Sequence, residues 1–214
     1  MAQPGNRPAP GPLRTYFATP VVVTQIAEAA SLNPVIRDVA LDREKTHPTT
    51  DHSNLGGYQS TWDFAEWGDD AARALIAAAT GVVDKLTADR TGQPAKIDWK
   101  TNAWANINRS GHGNEFHTHP GAYWSVSYYV DDGGVGADPS LGGEFEMQDP
   151  RGVAPAMYAP QLAFAMPGGL SVGASELISP RAGMLVVFPS WLSHGVRPYR
   201  GTGTRISIAI NFSI

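Results

Sequence analysis

Cysteine is absent from this 214-residue chain. That excludes disulfides, thiolate metal sites and a cysteine nucleophile, and leaves His, Asp and Glu as the only strong metal ligands. Charge is scarce too: Asp, Glu, Lys and Arg make up 17% of the residues, against ~25% in typical soluble domains. The net charge is −4 and no block of like charges occurs, so the basic stripe of a nucleic-acid binder is missing. No apolar run approaches the ~18 residues of a membrane span. The opening stretch Met1–Pro12 (MAQPGNRPAPGP) lacks the apolar middle of a signal peptide. The expectation is a cytoplasmic protein with neither nucleic acid nor membrane as partner.

Glycine and proline, at 23 and 17 residues, are plentiful instead. They imply many turns and argue against a helix bundle. At 42% hydrophobic residues the chain is globular, and its length suits one domain. Residues 1–12 read as a disordered tail and 13–214 as the single folded domain. Arg14–Val23 is β-prone and Thr24–Leu32 is Ala-rich and helical in character. His47–Gly57 is a polar turn cluster. Asp69 or Asp70 offers an N-cap for a helix running to about Arg90, with Leu75, Ala78, Val82 and Leu86 on one face. After Pro94 the texture changes to short strands separated by Gly and Pro: Ile97–Ile107, Tyr123–Val130, Gly143–Met147, Gln161–Met166, Glu176–Ser179, Met184–Phe188 and Thr204–Phe212. The fold class predicted is mainly β with flanking helices, a barrel or sandwich with helices packed outside. Arg151–Gly173 reads as a lid or a surface excursion.

Three of the six histidines sit in informative settings. His117 and His119 form H-T-H-P, and strand residues two apart point the same way. His194 ends G-M-L-V-V-F-P-S-W-L-S-H, an apolar strand, a proline turn and a histidine on the next strand. In a jelly roll these elements meet at the barrel mouth, where three ligands with open positions opposite make a metal site. Neutral imidazole suits Fe, Zn, Cu and Ni alike, so the ligands do not name the metal. His47, His52 and His112 read as loop or surface residues.

The strand Thr204–Phe212 (TRISIAINF) alternates apolar Ile206, Ile208, Ile210 and Phe212 with Arg205, Ser207, Ala209 and Asn211. A guanidinium on an inward face is costly unless it meets an anion, and beside a hydroxyl it suits a carboxylate. Arg205 follows His194 by eleven residues. A dicarboxylate bridging metal and arginine is therefore the sharper reading; the alternative turns Arg205 outward and the isoleucines inward.

Several motifs together resemble the 2-oxoglutarate/Fe(II) oxygenases, in their prolyl-hydroxylase-like branch. They are F-x-T-P-V at Phe17–Val21, G-G-Y-Q-S at Gly56–Ser60, W-x-N at Trp104–Asn106 and H-x-H-P at His117–Pro120. Y-Y-V at Tyr128–Val130, G-G-E-F at Gly142–Phe145, D-P-R at Asp149–Arg151, F-P-S-W-L-x-H at Phe188–His194, V-R-P at Val196–Pro198 and R-I-S-I-A-x-N at Arg205–Asn211 complete the set. The resemblance implies a double-stranded β-helix, that is, a cupin-like jelly roll. It further implies an oxygenase that uses Fe(II), 2-oxoglutarate and O2 to oxidise a C–H bond of a small molecule or peptide, with release of succinate and CO2. His117 and His194 would be iron ligands. Arg205, with Ser207 and Tyr129, would bind the distal carboxylate of 2-oxoglutarate. The wider family usually carries Asp or Glu at the position of His119. The expectations there are a three-histidine site, or a site in which another group, Glu144 being the nearest carboxylate, completes the triad. Trp104, Asn106, Asn108, Tyr123, Trp124, Arg151 and Trp191 are candidates for the substrate pocket. A homodimer is one option for assembly. The competing readings are a three-histidine cupin-type dioxygenase or isomerase that does not use 2-oxoglutarate, and a non-catalytic jelly-roll binding domain; both leave Arg205 without a role.

Overall fold

The computed structural model describes residues 16–152, 159, 161–162 and 174–214. Most of the segment expected to be a strand at Gln161–Met166, and most of the expected lid, fall outside these residues.

The described chain contains β1 (Val22–Gln25), α1 (Ala29–Thr46), β2 (Asn54–Leu55), β3 (Tyr58–Gln59), α2 (Phe64–Trp67), α3 (Asp69–Leu86), β4 (Lys100–Asn108) and β5 (Gly113–His117). These are followed by β6 (Trp124–Asp132), β7 (Phe145–Gln148), β8 (Ser175–Ile178), β9 (Met184–Pro189), β10 (His194–Val196) and β11 (Arg205–Ser213). The strands form a six-stranded sheet in the order β1-β9-β6-β11-β4-β3 and a five-stranded sheet in the order β2-β5-β10-β7-β8. Every pairing between them is antiparallel. The two faces of this jelly roll enclose the site, and the helices cover the outside of the larger sheet. Among the described residues no helix is long and apolar enough to cross a membrane.

The alternation of β11 divides the molecule into two cores. Ile206, Ile208, Ile210 and Phe212 are fully buried. Their cross-strand neighbours include Ile107, Ala105 and Ala103 on β4 and Tyr128, Val126 and Trp124 on β6. This face meets Ile36 and Ala40 of α1, Phe64 of α2 and Leu75, Ala79 and Val83 of α3. Each large apolar side chain so buried contributes about 1.5–3 kcal/mol. The opposite face of the same strands carries Tyr129 and, on β9, Met184, Val186 and Phe188, which pack with Phe145, Met147 and Leu192 in a smaller core inside the barrel.

Three sequence expectations are revised. The helix expected at Thr24–Leu32 begins only at Ala29 and runs through Asn33-Pro34 to Thr46. Its buried side consists of Ile36 and Ala40, too weak a stripe to announce eighteen residues. Helix α3 stops at Leu86, and Gly68 rather than an aspartate occupies its N-cap. Asp69 and Asp70 lie in its first turn, where carboxylates suit the positive end of the helix dipole. Its deepest residues are Leu75, Ala79 and Val83, so the helix is rotated from the predicted face, and Ala78, Val82 and Leu86 flank the contact.

Candidate active site

The short strands β2 and β3, joined by a Gly-Gly turn, belong one to each sheet and link the two at one edge. Asn54 and Leu55 of β2 pair with Asn114 and Gly113 of β5, while Tyr58 and Gln59 of β3 pair with Ile107 and Asn106 of β4. The turn, Gly56-Gly57, has φ of 65° and 73°, the left-handed region that favours glycine. A Cβ on Gly57 would come within 2.8 Å of the Ile107 carbonyl oxygen, so glycine also permits the close approach to β4.

His194, the first residue of β10, lies directly across from His117, the last of β5. The two ring centroids are 4.4 Å apart. His119 lies beyond the end of β5 rather than on it. Its backbone N–H donates to the Ser190 carbonyl at 2.9 Å, and the Ser190 hydroxyl donates to the carbonyl of Ala122. The H-T-H-P turn and the P-S-W-L turn are thus stitched together. His119 reaches 4.9 Å from His117 and 5.0 Å from His194, ring centre to ring centre. One nitrogen from each of the three imidazoles lies within 4.8 Å of the others.

The tautomers follow from the hydrogen bonds. Nδ1 of His117 lies 2.8 Å from the Glu115 carbonyl, and Nδ1 of His194 lies 2.8 Å from the Leu192 carbonyl. A carbonyl can only accept, so both Nδ1 atoms carry the hydrogen and both Nε2 lone pairs are free for a metal. Burial depresses the basicity of all three rings. His117 is shifted down, His119 to about 4 and His194 to about 3, the neighbouring His117 adding to the effect of burial on the last two. All three are therefore neutral at pH 7, the form that binds metal. Phe145 and Phe188 flank His194 at 5.3 and 4.5 Å and shield it from water. No carboxylate joins the cluster among the described residues. Glu144, offered from the sequence as an alternative ligand, instead has its backbone carbonyl accepting from Arg197 N–H at 3.0 Å.

Arg205 points inward and is the largest fully buried side chain, 1% exposed. Its Nε and Nη2 have no hydrogen-bond partner, nor does the hydroxyl of Tyr129, whose ring lies 5.0 Å beneath the guanidinium. Burial works against the charge of Arg205, while Tyr129 and Asp132 partly offset this. Space for the guanidinium comes from Gly143, where a Cβ would meet its Cδ and Nε at 3.3 Å. Ser207 sits across from Asn106 on one side and Tyr129 on the other.

The polar residues on the inner face fall into two groups. At one end Ser125 donates to Asn211 Oδ1 at 2.8 Å and both are satisfied. At the other, Gln59 Oε1, Asn106 Oδ1, Asn108 Oδ1, Tyr129 and Arg205 keep unpaired atoms in the interior. Buried polar atoms are nearly always bonded, so a row of unpaired ones beside a buried cation has the character of a ligand site. A guanidinium fork and a phenol suit a carboxylate.

The other sequence candidates are distributed unevenly. Trp104 is buried with its ring 5.5 Å from His119, and Asn106 and Asn108 share its strand face. Trp191 is exposed on the rim, in the turn bonded to His119. Trp124 faces away from the site: it shares its face with Val126 and Tyr128 and its Nε1–H donates to Thr87 Oγ1 at 3.0 Å at the end of α3. The alternation of Trp124, Val126 and Tyr128 with Ser125 and Ser127 along β6 is consistent with this orientation. Tyr123 is exposed and lies by Trp99, and Arg151 makes a two-pronged ion pair with Asp149 at 2.9 and 2.6 Å. Sequence reasoning missed His52, Gln59 and Trp62 as site residues. They line a cavity of about 360 Å³ that opens on His117 and His119, and the pairing of β2 with β5 and of β3 with β4 brings their segment there.

Residues 102–211 match the family described as "Putative 2OG-Fe(II) oxygenase". No curated protein matches the sequence. Among solved structures the chain is similar to a prolyl-4-hydroxylase of Pseudomonas putida, with 19% identity, TM-score 0.59 and coverage of 89% of this chain and 91% of that one. A prolyl hydroxylase of Trichoplax adhaerens, solved with a hypoxia inducible factor peptide fragment, matches at 13% identity and TM-score 0.60, over 90% and 83% of the two chains. SnoN, a non-heme alpha ketoglutarate dependent epimerase from nogalamycin biosynthesis, matches at 14% identity and TM-score 0.61, over 90% and 76%. At these identities the likeness establishes the fold, a double-stranded β-helix.

Proposed function

The chain belongs to the 2-oxoglutarate/Fe(II)-dependent oxygenase family, and we propose that His117, His119 and His194 hold its iron while Arg205, Tyr129 and Ser207 hold the distal carboxylate of 2-oxoglutarate. The observation that carries this reading is the pairing of three neutral, converging imidazoles with a buried guanidinium two of whose nitrogens lack partners. A cupin-type site without 2-oxoglutarate leaves that guanidinium unexplained, as does a passive binding domain.

When bound, the iron supplies activation of dioxygen coupled to decarboxylation of 2-oxoglutarate to succinate and CO2. The protein's part is positional. The Glu115 and Leu192 carbonyls hold the rings of His117 and His194 with Nε2 toward the metal, and the His119–Ser190 bond fixes the third ligand. Arg205 and Tyr129 set the cosubstrate in one orientation, so that its keto acid end meets the metal; such pre-positioning replaces entropy otherwise lost in the transition state. The small core of Phe145, Met147, Met184, Val186, Phe188 and Leu192 keeps that end of the barrel dry and so strengthens the ion pair. The substrate, a small molecule or peptide, approaches from the open mouth where His117 and His119 face the cavity, and its C–H bond is oxidised, with hydroxylation as the simplest outcome. A cytoplasmic setting belongs to the same proposal.

The test is anaerobic loading with Fe(II) and 2-oxoglutarate, admission of O2 and measurement of succinate. The proposal expects succinate that depends on both additions and is lost in His194→Ala. Iron bound without any 2-oxoglutarate consumption would favour the cupin-type alternative.

A further inference from the structure

The cavity next to the imidazoles has a distinct chemical character. Its walls are His52, Ser53, Gln59, Trp62, Glu115, Phe116, His117, Thr118 and His119. At about 360 Å³ it falls in the range of small-molecule sites, ~300–1,000 Å³. Two large aromatic side chains line it while substantially exposed, Trp62 at 42% and Phe116 at 45%. Trp62 is braced by the ring of His52, 4.7 Å away and nearly edge-on. Neither lysine nor arginine contributes to the wall, and its one carboxylate, Glu115, forms no ion pair among the described residues. Glu115 is two residues before His117 on β5, so it shares that strand face. Gln59 is 3% exposed, and its Oε1 is buried without a partner. Its backbone is pinned on both sides: its N–H donates to Thr49 Oγ1 at 3.0 Å, and its carbonyl accepts from Thr50 N–H at 2.8 Å.

A carboxylate without a counter-ion, a fixed amide acceptor without a donor and an open indole face all call for the same group. An ammonium brings three N–H donors and no acceptor, and its charge is attracted to a tryptophan face. We infer that the cavity selects a substrate bearing a protonated amine on an apolar body, with Glu115 and Gln59 receiving the ammonium beside the ring of Trp62. An acid is disfavoured because Glu115 would repel it and neither lysine nor arginine stands in the wall to meet it. The inference rests on the reading of the three histidines as the reaction centre, because that makes this cavity the substrate site. The cavity volume favours a free small amine over a peptide side chain.

The experiment compares 3-phenylpropylamine, 3-phenylpropan-1-ol and 3-phenylpropionate by calorimetry, using the full chain loaded anaerobically with Fe(II) and 2-oxoglutarate. Capped lysine, Nα-acetyl-lysine methylamide, is included to separate a free amine from a peptide side chain. The amine should bind at least about tenfold more tightly than the alcohol, corresponding to ~1.4 kcal/mol, and the acid more weakly than either. Glu115→Gln should bring the amine to the level of the alcohol without changing the alcohol. Trp62→Leu should weaken both, since it removes apolar contact as well as the ring face. Tighter binding of capped lysine than of the free amine would overturn the small-molecule assignment. An acid that binds as well as the amine, or an amine-to-alcohol ratio unchanged in Glu115→Gln, would overturn the inference as a whole. Iron and 2-oxoglutarate uptake are measured in the same samples, so that amine binding is compared at equal loading. Failure of iron uptake in the wild type would count against the histidine reading, while the amine preference is still read on the metal-free chain.

Discussion

Replacing Arg205 with methionine separates a ligand-binding arginine from a structural one. The side chain is 1% exposed, and two of its nitrogens have no partner. In the absence of an anion a buried charge is an electrostatic burden, and replacing buried ionic groups with apolar ones of similar volume is often neutral or stabilising. Arg205→Met should therefore leave the thermal midpoint of the ligand-free protein unchanged or raised. With 2-oxoglutarate the sign reverses. Truncating one member of a buried, hydrogen-bonded charge pair costs about 2–5 kcal/mol, which weakens binding by roughly thirty-fold to a few thousand-fold. The consequence for a melting experiment follows from linkage. At a cosubstrate concentration a hundred times the dissociation constant, the wild type gains about 2.7 kcal/mol. A thirty-fold weaker variant at that concentration retains only about 0.9 kcal/mol. Thermal unfolding with and without 2-oxoglutarate, at constant Fe(II), measures both quantities, and calorimetry gives the affinity directly. A variant that melts far below the wild type without ligand would show that the guanidinium holds the fold together. A 2-oxoglutarate affinity within about threefold of the wild type, under ~1 kcal/mol, would remove Arg205 from the cosubstrate site.

Three further outcomes follow from the same geometry. Ser207→Ala should cost about 1 kcal/mol of 2-oxoglutarate binding, one neutral hydrogen bond, measured in the same titration with iron binding unchanged. Leu75→Ala removes a fully buried side chain between α3 and the large sheet and should lower the unfolding free energy by about 2–5 kcal/mol in a denaturant titration. Gly57→Ala places a Cβ 2.8 Å from the Ile107 carbonyl at a φ of 73°; it should destabilise the β2–β3 turn and the pairing of β3 with β4, seen as faster amide exchange at Tyr58 and Gln59, with iron affinity largely kept.

How much of the fold and the site is legible in the sequence depends on length and period. The nine-residue strand β11 shows strict alternation, which by itself assigns Arg205 and Ser207 to one face. The histidine triad is legible because its spacings fit strand, turn and strand, although His119 reaches the cluster from a turn rather than from the strand. The orientation of Trp124 is legible in the W-S-V-S-Y alternation, which groups it with Val126 and Tyr128 on the face packed against the helices, and the expectation of a substrate contact there overlooks that alternation. Strands β2 and β3 have two residues each, too few for any period. The Gly-Gly turn between them is visible, but its role in carrying Gln59, with His52 and Trp62 nearby, to the barrel mouth depends on pairing with β5 and β4, a purely long-range property. Helix α1 leaves only a faint pattern because its contact with the sheet rests on few apolar side chains.

The most direct test of the three-imidazole iron site is the stoichiometry of Fe(II) bound by the wild type, His119→Ala and His119→Asp under anaerobic conditions. The three-imidazole site predicts one iron per wild-type chain and most of it lost in His119→Ala, because two ligands rarely retain a metal that three hold. It predicts retention in His119→Asp, which supplies the common arrangement of two histidines and one carboxylate. Full iron occupancy in His119→Ala would contradict it.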